Sequence, residues 1–129
     1  MRNQEYPPFY VVGTRKDVWV ECQCIKYGLP YKRVMGQYKG EEETSFIILH
    51  VDNKTESQVW GIAHHTSQAC VLFVDSQRNT YVLDVGKRGF LKPQPMGKWE
   101  GVSKSFAILQ DGYTYDATTD SYYVASGGK

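Results

Sequence analysis

The sequence predicts an α+β fold, a two-layer sandwich in which a mixed or antiparallel sheet carries two helices on one face. The predicted elements follow the order β-α-β-β-α-β-β and end in a β-rich tail. Two segments have helical periodicity, which separates them clearly from the alternating strands. The two longest apolar runs, at 43–51 and 69–75, flank the second helix, so we expect the core to form there.

The length of 129 residues predicts one domain with its own core. Residues 1–5 and 126–129 are expected to be flexible ends. The segment 6–12 contains Pro7 and Pro8, which confine it to the start of a strand or to an edge of the sheet. An exposed edge of this kind allows a homodimer by strand pairing, so the chain is expected to be a monomer or a homodimer.

The first helix is predicted from apolar residues at positions i, i+4, i+7 and i+11, namely Val18, Cys22, Ile25 and Leu29. These positions share one face, which we expect to be buried. Gly28 is a natural residue for a helix end, and Pro30 prevents continuation, so the helix should end near Tyr27.

The second helix is predicted to begin near Thr55 and to bury Val59, Ile62 and Ala63. Trp60 lies on the flank of that face and is predicted to be the exposed aromatic. The next segments, 69–75 and 80–85, are predicted to pair as a hairpin.

The C-terminal third is predicted to contain a long loop over 86–98 and a strand over 104–109. That strand should turn at Asp111 and Gly112 into a second strand over 113–116, because Asp-Gly between apolar segments is typical of a hairpin. A last short strand is expected over 122–125.

The charge balance does not favour nucleic-acid binding, because the net charge is +1 and the isoelectric point is about 7.7. Nucleic-acid binding is the first alternative function, and its basic residues would be Arg15, Lys16, Lys32, Arg33 and Lys39. The three cysteines form no even disulfide framework, and the N-terminus has no apolar signal segment. The sequence therefore predicts a cytoplasmic location with no membrane partner.

No combination of residues predicts catalysis, a metal site or a cofactor. Adjacent residues on a helix point about 100° apart, so His64 and His65 cannot bind one metal ion together. Cys70 is predicted to be buried in a strand, where a thiol is normally a small apolar group. A serine-nucleophile elbow and a phosphate-cradling loop are both absent from the sequence.

One polar site is nevertheless indicated by Glu43, Ser45 and Gln68, which lie beside the buried strands. They form either a shared site at the strand ends or a set of structural partners. In the structural interpretation, Gln68 closes the second helix, and Glu43 holds a backbone amide or Arg33.

A second polar feature is the basic, glycine-containing segment 86–89. Its Lys87 and Arg88 are candidates for a phosphate contact. With His64 they suggest a second alternative function, a small enzyme or sensor that binds a nucleotide or another phosphate ligand.

Short motifs at 28–31, 36–40, 43–48 and 68–75 resemble the DUF3293-like group of small proteins of unknown function, over residues 14–85. Members of that group occur in bacteria and commonly in phage genomes. The resemblance implies a phage-type accessory protein and brings no established chemistry.

The preferred hypothesis for function is therefore a binding module that inhibits a host protein, such as a defence or housekeeping enzyme. Its contact residues would be large aromatic side chains, because Trp and Tyr are favoured in the energetic centres of interfaces. The candidates are Trp60, Trp99, Tyr113, Tyr115 and Tyr122.

Overall fold

Eight antiparallel strands close into one barrel in the computed structural model, which describes residues 7–126. The strands are β1 (Phe9–Thr14), β2 (Tyr31–Tyr38), β3 (Glu41–Leu49), β4 (Cys70–Val74), β5 (Asn79–Asp84), β6 (Gln94–Val102), β7 (Gly112–Asp116) and β8 (Ser121–Ser126). The helices are α1 (Asp17–Tyr27), α2 (Thr55–His65) and α3 (Lys104–Ala107). Neighbouring strands around the barrel follow the order β1-β3-β2-β7-β8-β6-β5-β4, and β4 pairs with β1 to close it.

The predicted two-layer sandwich is therefore wrong. The predicted order of elements is confirmed from β1 to β5, but β7 and β8 insert between β2 and β6 and complete the circle. The prolines mark the start of a strand, because β1 begins at Phe9, directly after Pro8. The alternative of a sheet edge is wrong, because β1 pairs with β3 on one side and with β4 on the other. Closure of the barrel leaves β1 no free hydrogen-bonding edge for a second chain. The predicted flexible ends lie outside the described residues, apart from Ser126, which ends β8.

The barrel wall separates two clusters of buried residues. The outer cluster includes Val20 and Cys24 of α1 with Val59 and Ile62 of α2, so the two longer helices cover this face. The other cluster is formed by strand residues alone, and we assign it to the barrel lumen. Its fully and partly buried members are Phe9, Val11, Ile47, Leu49, Leu72, Val74, Trp99 and Tyr123. Because successive side chains of a strand point to opposite faces, these residues also identify which neighbours face the lumen.

Helix α1 ends as predicted, because Gly28 adopts a left-handed conformation with φ of 70°. Its buried face, however, is not the predicted one. Val20 and Cys24 are buried, whereas Val18 and Ile25 are 65% and 67% exposed. The apolar spacing predicted a helix correctly but indicated the wrong buried face. The face with Val18 and Ile25 and the face with Val20 and Cys24 both have apolar residues at helical intervals.

Helix α2 buries Val59, Ile62 and Ala63, as predicted. Its first residue, Thr55, is fully buried, and its Oγ1 accepts hydrogen bonds from the backbone N–H groups of residues 51 and 52. Trp60, predicted to be exposed, is half-buried. Its indole Nε1 donates to the Gly86 carbonyl at 2.9 Å, which ties α2 to the segment after β5.

The C-terminal third differs most from the prediction. Residues 94–98, predicted as the end of a long loop, belong to β6, and the segment 104–109, predicted as a strand, contains α3. Ser103 explains the helix, because its Oγ accepts a hydrogen bond from the Phe106 N–H at 3.2 Å. The predicted hairpin at residues 111–112 is also wrong, since β7 pairs with β2 and β8.

Two further expectations concern membranes and cysteines. Within residues 7–126, none of the helices has the length and apolar character that crossing a bilayer requires. All three cysteines are free thiols. Cys24 is buried, but Cys70 is exposed, so its predicted burial is wrong.

An ion pair links strands β2 and β7 of the barrel wall. Lys32 Nζ contacts Asp116 Oδ2, and Asp116 is only 4% exposed. Burial raises the pKa of Asp116, but hydrogen bonds from Lys32 and from the Thr118 backbone and hydroxyl outweigh burial. The net effect is a pKa below the usual value for aspartate.

We therefore expect the free energy of unfolding to depend on Asp116 in acid. A carboxylate whose pKa is lower in the folded state stabilises the protein above its unfolded pKa of about 4, and this contribution is lost as the pH falls through the folded value. Urea unfolding at several pH values between about 5 and 2 measures this loss. In Asp116→Asn the loss should be smaller. An unchanged pH dependence in Asp116→Asn would contradict the assignment.

Candidate functional site

Strands β1, β2 and β3 bring two glycines and two polar side chains together on the lumen side of the wall. Gly13 of β1 lies opposite Ser45 of β3, and Gly36 of β2 lies opposite Glu43 of β3. Glu43, Ser45 and Ile47 are every second residue of β3, so their side chains point to the same face. Ile47 packs in the lumen cluster, and this face is therefore the lumen side. We call these four residues the glycine cradle.

The glycines make room for the polar side chains of β3. A Cβ atom at Gly13 would overlap the Glu43 Oε1 atom, and one at Gly36 would lie 2.6 Å from the Ser45 Oγ atom. Real Cβ atoms essentially never approach a neighbour closer than 3.0 Å. Any larger residue at these two positions would therefore displace the carboxylate or the hydroxyl.

None of the cationic side chains that the structure describes pairs with the Glu43 carboxylate. Its side chain is half-buried, and it forms no hydrogen bond or ion pair with any residue in the described range 7–126. Lys32, which also faces the lumen by register, is already paired with Asp116. Removing a carboxylate from water without a partner is costly. The cradle is therefore suited to receive a cationic group from a ligand.

Arg33, the partner considered for Glu43 from the sequence, faces the other side of the wall. Its guanidinium pairs with Asp17 at 2.8 Å and with Glu21 at 3.1 Å, both on α1. Gln68 does not complete the cradle either. Its backbone N–H donates to the Ala63 carbonyl at 2.9 Å, so it closes α2, as the structural interpretation expected.

The chain matches the family model of the S-adenosylmethionine lyase family over residues 15–126. This match covers most of the 129 residues. The chain belongs to the S-adenosylmethionine lyase family. A comparison with curated proteins finds no match.

Membership of the S-adenosylmethionine lyase family corrects two expectations from the sequence. The resemblance to the DUF3293-like group is wrong, because the match that extends through the chain is to the lyase family. The accessory protein that inhibits a host protein was inferred from that resemblance, and this prediction is wrong with it.

The aromatic residues predicted as partner contacts do not form one surface. Trp99 is 7% exposed and packs in the lumen, where its ring lies 5.5 Å from that of Phe9. Three tyrosines form a separate cluster on β7 and β8, with ring centroids 4.6 to 5.8 Å apart: Tyr113, Tyr115 and Tyr122. Tyr115 and Tyr122 lie opposite each other and alternate with lumen positions, so this cluster faces outward.

The remaining candidates lie away from the glycine cradle. Lys87 and Arg88 are exposed in the segment after β5, and Arg88 lines a cavity beside α2. His64 stacks on Trp60 at 4.8 Å and His65 stacks on Trp19 at 4.2 Å, so the two imidazoles point to different neighbours. Within the described range, no three His, Cys, Asp or Glu residues are placed to hold a metal ion.

Glu43 and Ser45 stand out in the sequence as polar residues beside a buried strand, whereas Gly13 and Gly36 do not. The missing signal was strand register, because only the pairing of β3 with both β1 and β2 places these glycines beside the polar side chains.

Proposed function

We propose that this chain binds S-adenosylmethionine and cleaves it as a lyase, with the glycine cradle as part of the substrate site. Family membership over residues 15–126 supports the reaction class. The observation that supports the site is the half-buried Glu43 carboxylate, which lacks a cationic partner within residues 7–126.

S-adenosylmethionine offers two cations to such a carboxylate, the sulfonium and the α-ammonium group. Cleavage of a carbon–sulfur bond converts the sulfonium into a neutral thioether, so an ion pair with the sulfonium weakens as the reaction proceeds. The ammonium keeps its charge throughout. An ion pair that is stronger in the ground state than in the transition state slows the chemical step, whereas one of equal strength in both lowers KM without that penalty. We therefore assign Glu43 to the α-ammonium group, where it binds and orients the amino-acid portion.

The reaction class limits which carbon–sulfur bond breaks. A lyase cleaves without water, so the carbon fragment must satisfy its own valence by elimination or by ring closure. The methyl group has neither a neighbouring C–H bond nor an internal nucleophile. The ribose and methionine carbons both have neighbouring C–H bonds, so the reaction class leaves these two bonds open. We assign cleavage to the bond between sulfur and the methionine side chain because Glu43 holds that portion, and the electron pair of the broken bond passes to sulfur.

Ser45 is expected to complete the polar contacts. It lies two residues after Glu43 on the same face of β3, and its hydroxyl group makes no hydrogen bond to the described residues. A hydroxyl donates one hydrogen bond and accepts others, so it is suited to the α-carboxylate of the substrate. Together the two side chains would hold both charged groups of an amino acid.

Incubation of the full chain with S-adenosylmethionine in ¹⁸O-labelled water tests the proposal. We expect a thioether nucleoside and a four-carbon fragment that carries no ¹⁸O when the reaction is stopped early. A sample without protein corrects for spontaneous cleavage of the substrate. Unreacted substrate, or one ¹⁸O atom in the four-carbon fragment of every turnover, would overturn the lyase assignment.

A further inference from the structure

A second concave region lies on the outer face of the barrel wall, between α2 and the segment 86–93. It consists of two adjoining cavities of about 260 and 330 Å³. Glu56 and Phe90 line both of them, so they form one continuous groove. The glycine cradle faces the lumen, and the wall of the barrel separates it from this groove.

Aromatic rings form the floor of the larger cavity. The Tyr10 ring lies 5.0 Å from Phe73, and it is nearly parallel to Phe90 at 6.4 Å. Tyr10 OH pairs with His50 Nδ1 at 3.1 Å, and burial, followed by the Glu56 charge, raises the pKa of Tyr10 far above its usual value. The phenol therefore stays neutral. Flat apolar rings of this kind favour a planar ligand.

Charged side chains line both cavities of the groove. Glu56 lies at the junction, Arg88 lines the smaller cavity and Lys92 lines the larger one. None of the three forms a hydrogen bond or ion pair with another residue in 7–126. One carboxylate against two cations gives the lining a net charge of +1. This balance disfavours a simple cation and favours an anionic ligand that also brings hydroxyl donors to Glu56.

The groove is held in shape before any ligand binds. The indole of Trp60 donates to the Gly86 carbonyl, and the Gly86 N–H donates to the Gly89 carbonyl at 2.8 Å. A Cβ atom at Gly86 would lie 2.7 Å from the Gly89 oxygen, so only glycine allows this tight turn. A preformed site loses less conformational entropy on binding.

We propose that this groove binds a nucleoside 5′-monophosphate, at a site separate from the glycine cradle. The base lies against Phe90 in the larger cavity, as nucleobases do on aromatic side chains. The ribose hydroxyls donate to Glu56, the contact that acidic residues make in dinucleotide sites. The phosphate binds Arg88 in the smaller cavity, where a guanidinium provides a charge-assisted, two-pronged contact.

Calorimetric titration of the full chain with AMP and with adenosine tests this inference. Arg88→Gln should weaken AMP binding by about tenfold and leave adenosine binding unchanged, because adenosine has no phosphate. Glu56→Gln should weaken both ligands by a similar factor. Glu43→Gln, whose change lies in the lumen, should leave AMP binding unchanged.

Three outcomes would overturn the inference. In the first, the unaltered chain does not bind AMP at millimolar concentration. In the second, Arg88→Gln and Glu56→Gln bind AMP as tightly as the unaltered chain. In the third, Glu43→Gln no longer binds AMP. Thermal melting of each variant shows whether it is folded, and Lys87→Gln serves as a control for general loss of positive charge, because Lys87 does not line the groove. The cleavage assay is independent, so failure of the groove and failure of the proposed lyase activity are distinguishable.

Discussion

Glu43→Gln is expected to reduce kcat/KM for S-adenosylmethionine by about 30-fold, mainly through a higher KM. The substitution keeps the shape of the side chain but removes the only charge that the glycine cradle offers. A hydrogen bond to a charged partner contributes about 2 kcal/mol, which corresponds to this factor. Steady-state kinetics with the full chain measures the change.

The assignment of Glu43 to the α-ammonium group has its own test. S-adenosylhomocysteine keeps the ammonium but lacks the sulfonium charge. If Glu43 pairs with the ammonium, Glu43→Gln should weaken binding of this analogue as much as it raises KM for the substrate. An unchanged affinity for S-adenosylhomocysteine in Glu43→Gln would move the contact to the sulfonium.

Gly13→Ala tests the same site without altering a charge. The new methyl group would occupy the place of the Glu43 carboxylate, which must swing away, so we expect lower activity at nearly unchanged stability. Gly101→Ala is a matched control, because its Cβ would meet the Tyr123 ring at 3.6 Å and the Tyr122 carbonyl at 3.9 Å, both ordinary contact distances. Equal activities of these two variants would show that the cradle is not used.

Trp99→Ala should lower the free energy of unfolding by about 3–5 kcal/mol, the largest effect on stability that we expect from one substitution. The indole fills the lumen between Phe9 and Tyr123, with ring centroids 5.5 and 5.7 Å away, and its removal leaves a cavity between strands that cannot close over it. Urea unfolding measures the loss.

Leu109→Ala is the control for Trp99→Ala. Leu109 is 79% exposed, so its replacement should change the free energy of unfolding by less than about 0.5 kcal/mol. A Trp99→Ala variant as stable as the unaltered chain would mean that Trp99 does not support the lumen. Trp99 would then be better described as a surface aromatic residue.

The sequence specified local structure better than closure of the sheet. Helix α1 could be predicted because Gly28 and Pro30 mark its end, and the β4–β5 hairpin could be predicted because two apolar runs flank a polar turn. Closure depends on pairs far apart in the chain, such as Gly36 with Thr114. Periodicity within one segment contains no information about such a partner.

The errors in the last third have a similar origin. Strand β6 contains Pro95 and Gly97, two residues that favour a loop when considered alone. Pro95 nevertheless lies in the strand, at a register shift between β5 and β6. An irregularity of this kind tolerates a residue that lacks a backbone N–H, and it could not be recognised before the pairing was known.

The candidate site was half visible in the sequence for the same reason. Glu43 and Ser45 stood out as polar residues beside a buried strand, whereas the partners that make them a site come from β1 and β2. The groove beside α2 was visible only through Arg88. Its aromatic floor comes from three separate segments that contain Tyr10, Phe73 and Phe90.

The place of β7 and β8 in the circle has a consequence for synthesis of the chain. A nascent polypeptide that has not yet emerged beyond β6 contains six of the eight strands, but its sheet is open, with β2 and β6 as two unpaired borders. Such borders readily pair with other chains. The sheet is therefore protected from misassembly only once residues 112–126 have emerged, because β7 and β8 together fill the gap.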